Sequence, residues 1–487
     1  MKNIFLLTGF ILCISKPLFS QTISTYEGNK YENGVTQVWT TDDGKTIYTL
    51  SESMTSTILY KHINGKVSKT KEFPNKTKEG KLKVKVNYQF FQLGGDFYCL
   101  VQGYAKKNFP SASLKKLNPQ DLSLEDTKID PDPIAVKMGR YPSLMQVISS
   151  PNKQYFSLIY GQTYLQTYNT QLELVNELKE LESNLEFYYK NMALTNSGKL
   201  IILLNRTTRF RETYNFGTPP SPALYDAAIW VFTDNDILKI ELKEEENLVR
   251  DYAITENVDG DIAAVGYIGE PIDVFKIKAL NNAKSLDSKK VIFHLFDGKT
   301  GDIKESNSLS FEGEWEFLRT DKLVYLEKKE LYAFVGIEIK EIKKSGDNNE
   351  YYSVYEHNNI QVLLIDQSGE LVSEAKLIHK VTDDPYGKIR NIDGLVVTDN
   401  EEQLFVASNG SKDAKWDEEK LKIKENKYSG AVIHTVDSDG NVETYAMEKE
   451  TGEDDVANTV SWYVSPRGAI LMRTIYEDPM LILFSPK

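Results

Sequence analysis

The sequence predicts an all-β fold built from repeated four-stranded units, and three observations predict it. Apolar runs of strand length recur along nearly all of the 487 residues, separated at short, even spacing by tight-turn residues. The hairpins alternate between two types, so two consecutive hairpins make one repeat. No Pro- or Gly-rich linker divides the chain into separate domains.

The N-terminus comes first in order. Lys2 supplies a short positive region, and the apolar run Ile4 to Ile14 has the length of a signal-peptide core. Pro17 breaks the run, and Ser20 before Gln21 offers a small residue for cleavage. The expectation is a signal peptide over 1–20 and one domain over 21–487, exported to the periplasm or secreted. The run is shorter than the roughly 20 apolar residues a spanning helix needs, and no membrane insertion is expected. Cys13 follows Leu12, a bulky residue where lipoprotein processing wants a small one. Cleavage leaves Cys99, which has no partner for a disulfide and reads as core of an apolar strand. The formal net charge is −13, and losing Lys2 and Lys16 takes it to −15. That balance disfavours nucleic acid and anionic membranes as partners.

First-type hairpins pair a strand, a Thr- or Ser-led turn and a more apolar strand. They read VWTTDDGKTIYTL around Asp43-Gly44, ISSPNKQYFSLIY around Pro151, ALTNSGKLIILL around Gly198 and AITENVDGDIAAVGY around Gly260. Later copies turn at Asn400 and Gly468, with looser members at Gly94 and Lys328. Gly and Asn supply the positive φ that two-residue turns require, and Pro presets turn entry. Second-type hairpins turn at Asn64-Gly65, Asn235-Asp236, Gly298–Gly301, Ser368-Gly369 and Asp439-Gly440. The versions from Leu114 to Leu124 and from Tyr164 to Val175 are weaker. In the latter, Leu174, Leu178, Leu181 and Leu185 also fit a helical period.

A four-stranded sheet with two exposed edges and no covering helix must pack against its neighbours. Repeated around a ring, that solution is a β-propeller. Two β-sandwich domains are the alternative reading of evenly spaced hairpins. The eighth unit ends one strand short, after Met480 to Phe484, and Gln21 to Asn33 precedes the first hairpin. Pairing of these ends predicts eight blades in a closed ring; seven follow if a loose unit is misread.

The turns TDDG, SPNK, TNSG and SPRG resemble those of the TolB-like and YVTN-type repeats of bacterial propellers. The resemblance is loose, extends over most of the chain and implies a fold rather than an activity.

In such a fold the connections inside each first- and second-type hairpin lie at one end, and the connections between hairpins at the other. The second set is long in four consecutive units, at Arg206 to Asp226, Gly269 to Lys289, Lys340 to Glu356 and Ser408 to Lys427. Long loops on a rigid frame collect binding residues. The first of them carries Arg206, Arg209, Arg211, Tyr214 and Tyr225, guanidinium groups among aromatics in an acidic chain. Guanidinium forks bind carboxylate or phosphate, so these residues are expected to anchor an anionic group. Five residues before the turn threonines stand Lys190, Arg250 and Asp393, candidates for one channel mouth.

Catalytic patterns are scarce. No G-x-S-x-G occurs, and His62, His294, His357, His379 and His434 are scattered and read as packed or surface residues. Asp437 to Asn441 begins like an EF-hand loop, but its Gly falls at the fourth position. Asn257 to Asp261 is similar to a shortened propeller calcium turn, and a plain hairpin turn accounts for both; Asp297 to Gly301 resembles part of a quinoprotein docking repeat, but the Trp that should follow is absent and the repeat occurs once. No metal or cofactor is expected. Two function classes stay open: a non-catalytic scaffold capturing a peptide, glycan or protein on its long-loop end, and an extracytoplasmic glycan hydrolase or lyase with its site at the channel mouth.

Overall fold

The structure, a computed structural model, describes residues 22–27, 37–41, 46–53, 55–63, 66–79, 82–105, 108–129, 131, 145–160, 164–179, 187–207, 224–233, 236–242, 249–269, 290–310, 317–345, 351–377, 381–382, 396–399, 401–410, 416–417, 422–423, 430–446, 458–465, 468–474 and 480–485. The expected signal segment lies outside them. Nearly everything described is strand, arranged as consecutive antiparallel sheets of four or five strands.

Sheet 1 comprises Gln37–Thr40, Thr46–Glu52, Ser56–Ile63 and Lys66–Pro74 in chain order. Sheet 2 runs Lys76–Glu79, Leu82–Leu93, Asp96–Ala105, Asn108–Leu117 and Leu124–Asp126. Sheet 3 runs from Met145–Ser149 to Leu174–Lys179, sheet 4 from Phe187–Leu194 to Asp236–Leu242, and sheet 5 from Val249–Glu256 to Ile303–Leu309. Sheet 6 spans Phe317–Leu326 to Leu371–Leu377, and sheet 7 spans Val396–Asp399 to Val442–Ala446. Sheet 8 holds Asn458–Ser465, Gly468–Thr474 and Met480–Ser485, and its fourth strand is Thr22–Glu27 from the other end of the chain. Thr22 pairs with Ser485 and Glu27 with Met480, the pairing expected from the missing strand. In sheet 3, Leu174–Lys179 forms a strand rather than the helix its leucine spacing also allowed, with Leu178 opposite Leu165.

Each apolar core lies between two successive sheets. Leu50, Leu59, Phe90 and Cys99 join sheets 1 and 2, and Leu100, Leu114, Phe156 and Leu158 join sheets 2 and 3. The series continues through Ile202 and Ile159, Ile229 and Ile262, Phe293 and Phe334, and Val362 with Val406. The first strand of sheet 1 also lies against the first strand of sheet 8. Middle strands are therefore covered on both faces, and their sequences lose strand alternation. Lys290–Phe296 is buried at every residue after Lys290, whereas the edge strand Ile303–Leu309 of the same sheet is exposed along most of its length. This difference is why the second and third strands of a unit read as continuous apolar runs.

The hairpin turns follow their residues. Gly369 adopts φ +80°, and a Cβ there would sit 2.5 Å from the Phe293 ring of the preceding sheet. Position 369 is thus closed to side chains both by backbone conformation and by the neighbouring sheet.

Candidate functional site

The two ends of the sheets differ, and the difference locates the candidate site. At the end carrying the tight turns, successive units are tied together by polar bonds. Gly94 N donates to Lys153 O at 2.6 Å, and Asn152 N donates to Asn196 Oδ1 at 2.9 Å. Ser197 Oγ lies 2.9 Å from Glu256, which also pairs with Lys199 at 2.8 Å. Asn257 Nδ2 donates to Tyr332 Oη at 3.1 Å, and Lys328 N donates to Glu401 O at 3.0 Å. These contacts run in order from sheet 2 to sheet 7. Donors and acceptors at this end largely satisfy one another, which leaves an architectural surface.

The Asp-rich turns belong to that surface. Asp437 Oδ1 accepts the N–H groups of Asp439 and Asn441, and these hydrogen bonds hold its carboxyl below the usual range against its partial burial. Asn257 Oδ1 accepts from Asp259 and Asp261, while Asp261 is paired with Lys304 at 2.7 Å. Asp297 accepts from Thr300 and Lys299, which take its carboxyl down to about 2. Each carboxylate or amide oxygen faces its own turn's N–H groups, as an Asx turn requires.

The opposite end carries the long connections. In sheet 4, Arg206 is the last residue but one of the second strand, Leu200–Thr207, opposite Phe187 on one side and Asp226 on the other. Tyr225 stands in a bulge, because Arg206 pairs with Asp226 and the next residue, Thr207, pairs with Leu224. Lys190 stands in a second bulge, between Tyr189 opposite Leu204 and Asn191 opposite Leu203. The backbone therefore brings Lys190, Arg206 and Tyr225 to one corner of sheet 4. Bulges cluster where a strand must re-aim a residue toward a site. Arg250 lies in the adjacent sheet 5, in an unbroken ladder opposite Ile268. Equal spacing from the turn thus gives Lys190 a bulge and Arg250 a paired position. Arg209, Arg211, Tyr214 and Asp393 lie outside the described residues.

Two of the expected loops contain strand. Lys340 to Glu356 is the far part of a long hairpin in sheet 6, where Lys340 pairs with Glu356 and Ser345 with Tyr351. The segment from Ser408 to Lys427 holds a small hairpin in which Trp416 pairs with Ile423.

A buried carboxylate at the base of the sheet 6 hairpin escaped the sequence reading. Glu338, 2% exposed, occupies the bulge between Ile337 and Ile339. It accepts from Asn359 Nδ2 at 2.9 Å and Gln361 Nε2 at 2.5 Å, with Lys376 Nζ at 3.7 Å. Two amide donors satisfy its oxygens and the Lys376 ammonium lies near, which ties the base of the projecting hairpin together. A comparable clamp joins sheets 2 and 3, where Gln102 gives and takes one hydrogen bond with the backbone of Met145, at 2.9 and 2.7 Å.

Three histidines are packed. His62, His294 and His434 are buried on third strands, with hydroxyl partners Thr49, Ser306 and Thr444 at 2.9, 3.0 and 2.9 Å.

No family model and no curated protein matches the chain. Among solved structures it is similar to the WD40 domain of SCAP from fission yeast, at 9% identity and TM-score 0.42, covering 96% of this chain and 98% of that one. It is also similar to an oligogalacturonate lyase in complex with manganese, at 10% identity and TM-score 0.38, covering 84% and 99%. The Dos1 propeller aligns at 10% identity and TM-score 0.38 over 95% of both chains. These neighbours differ from one another in role, and likeness at this distance assigns none.

Proposed function

We propose that the chain is an exported propeller of eight blades, closed by its two ends, that acts as a non-catalytic scaffold. It captures a peptide, glycan or partner protein on the end that carries the long connections. The observation that supports this reading is the contrast between the two ends. Turn-to-turn bonds satisfy one end, while the other carries projecting hairpins, bulged strands and the corner of Lys190, Arg206 and Tyr225. In this reading Arg209 and Arg211 belong to the same anion anchor, with Tyr214 beside them, and Arg250 and Asp393 line the channel mouth.

The test is a set of acidic and neutral peptides and glycans presented to the intact chain and to the Arg209→Ala/Arg211→Ala double variant. The double variant is expected to bind an acidic hit at least about tenfold more weakly, since each charge-assisted contact contributes roughly 1.5–3 kcal/mol. Its melting temperature should stay at the wild-type value. Turnover of a bound glycan, or early melting of the double variant, would replace the scaffold reading with an enzyme or with an architectural loop.

A further inference from the structure

The chain is acidic overall, but residues 61–85 hold nine lysines against two glutamates. Lys61 lies on the third strand of sheet 1, Lys66, Lys69 and Lys71 on the fourth, and Lys76, Lys78, Lys83 and Lys85 on the first two strands of sheet 2. Lys66, Lys69, Lys71, Lys76 and Lys85 are exposed, and Lys61 is half-buried. The strand Lys66–Pro74 covers roughly 25 Å at 3.3 Å per residue. Among the described residues it is an edge, pairing with Ser56–Ile63 alone.

Register sharpens the observation. Lys61 stands directly opposite Lys69, Lys76 opposite Lys85, and Lys78 opposite Lys83. Like charges directly opposite on paired strands destabilise a sheet. The ammonium groups of Lys61 and Lys69 are steered by carbonyls of the next sheet's turn, Pro119 O at 2.7 Å from Lys61 and Gln120 O beside Lys69. Asp121 in that turn feels Lys71 only at longer range. Among the described residues, none of Lys61, Lys66, Lys69, Lys71 and Lys76 pairs with a carboxylate. Lysines on an edge strand block unwanted strand pairing. That function accounts for Lys66–Pro74, yet Leu82–Leu93 is an interior strand with neighbours on both sides, and it carries Lys83 and Lys85.

We infer that this lysine strip is a docking surface for a linear acidic polysaccharide bearing carboxylate or sulfate groups. The inference is independent of the long-connection reading, which concerns sheets 4 to 7. Charge complementarity selects a polyanion, and the strip's length selects a linear one. The exposed residues of Lys66–Pro74 are Lys, Ser, Thr, Glu and Pro, with Phe73 buried. The strand thus lacks the aromatic platforms that single-stranded nucleic acids stack upon and the apolar face that inserts into a lipid surface.

The full chain is tested against alginate and dextran sulfate, with neutral dextran, single-stranded DNA and anionic phospholipid vesicles as the other arms. Retention on the acidic polysaccharides is expected, falling about a hundredfold between about 50 and 200 mM salt as a few ion contacts are screened. Lys66→Ala/Lys71→Ala/Lys76→Ala should lose about tenfold or more, whereas Lys290→Ala/Lys299→Ala should bind as wild type. On the wild-type chain, bound alginate should protect Lys66, Lys71 and Lys76 from acetylation, a readout that needs no variant. Tighter binding to DNA or vesicles, equal losses in both variants, or no protection would overturn the inference. So would self-association through the strip, seen as lysine-dependent dimers without polysaccharide.

Discussion

Lysines do opposite things in two regions of this molecule. At the tight-turn end Lys199, Lys304 and Lys328 each meet carboxylates, Glu256, Asp261 and Asp297, and Glu401 and Glu402, at 2.7 to 3.6 Å. Along the edge strand of sheet 1 and the opening strand of sheet 2, Lys66, Lys71 and Lys76 meet none among the described residues, and across the strands Lys69 faces Lys61 and Lys76 faces Lys85. In the first arrangement Lys199 and Lys328 join successive sheets and Lys304 ties two turns of sheet 5, so it serves the fold. The second leaves charge without a carboxylate partner, on the strip where the acidic polysaccharide is proposed to dock. The same side chain is therefore architectural or functional according to whether its charge is answered locally.

The largest effect expected in the first region is steric. A Cβ at Gly298 would fall 1.7 Å from Gly260 O, backbone against backbone. Gly298→Ala should destabilise the protein by about 2–4 kcal/mol, read as a shift in the urea midpoint. A wild-type midpoint would mean that the two turns of sheet 5 are not packed this way.

Next comes acidity. Burial depresses the His62 imidazole from 6.5 to about 4. A depressed histidine contributes stability in full above its unfolded value, and that contribution disappears as the pH falls from about 6.5 toward 4. The loss approaches about 3 kcal/mol once the folded chain is protonated too, below about pH 4. Stability against urea measured from pH 7 to pH 4.5 should fall along that slope. In His62→Gln the slope should flatten; an unchanged slope would move the acid sensitivity to other groups.

Removing Glu256 leaves Lys199 with Gly260 O and Ser197 with Thr195 Oγ1 but takes away their carboxylate, so Glu256→Ala should cost about 1–3 kcal/mol. At the sheet 1 edge the sign approaches zero or reverses. Lys69→Ala relieves the opposition of Lys61, and its midpoint should stay within about 0.5 kcal/mol of wild type.

The repeat was legible because turn chemistry is local. Gly260, Gly369 and Gly440 stand at φ +80° to +83°, where glycine is at ease, and they mark their hairpins in the sequence. The pairing of Thr22–Glu27 with Met480–Ser485 was legible as well, since the last unit lacked a strand. Leu174–Lys179 was ambiguous because leucines suit both periods, and cross-strand pairing with Tyr164–Tyr168 decided it. Residue type singles out Lys190, Arg206 and Tyr225 in the sequence, but the bulges at Lys190 and Tyr225 are not legible there. A bulge such as that at Lys190 adds one residue to one strand and leaves no compositional mark. Ties such as Ser197 to Glu256 join residues 59 apart and cannot be read from spacing. The lysine strip was hidden by averaging, because a net charge of −13 over the chain conceals a basic window of residues 61–85.

The contrast itself is tested most directly by unfolding two triple variants side by side in urea. Lys199→Ala/Lys304→Ala/Lys328→Ala removes answered charges, and Lys66→Ala/Lys71→Ala/Lys76→Ala removes unanswered ones. The first is expected to lose about 2–4 kcal/mol, because carboxylates such as Glu256, 6% exposed, are left without their ammonium. The second is expected to unfold within about 0.5 kcal/mol of wild type. Equal losses in the two variants would contradict the division of the molecule into a self-satisfied end and a charged edge.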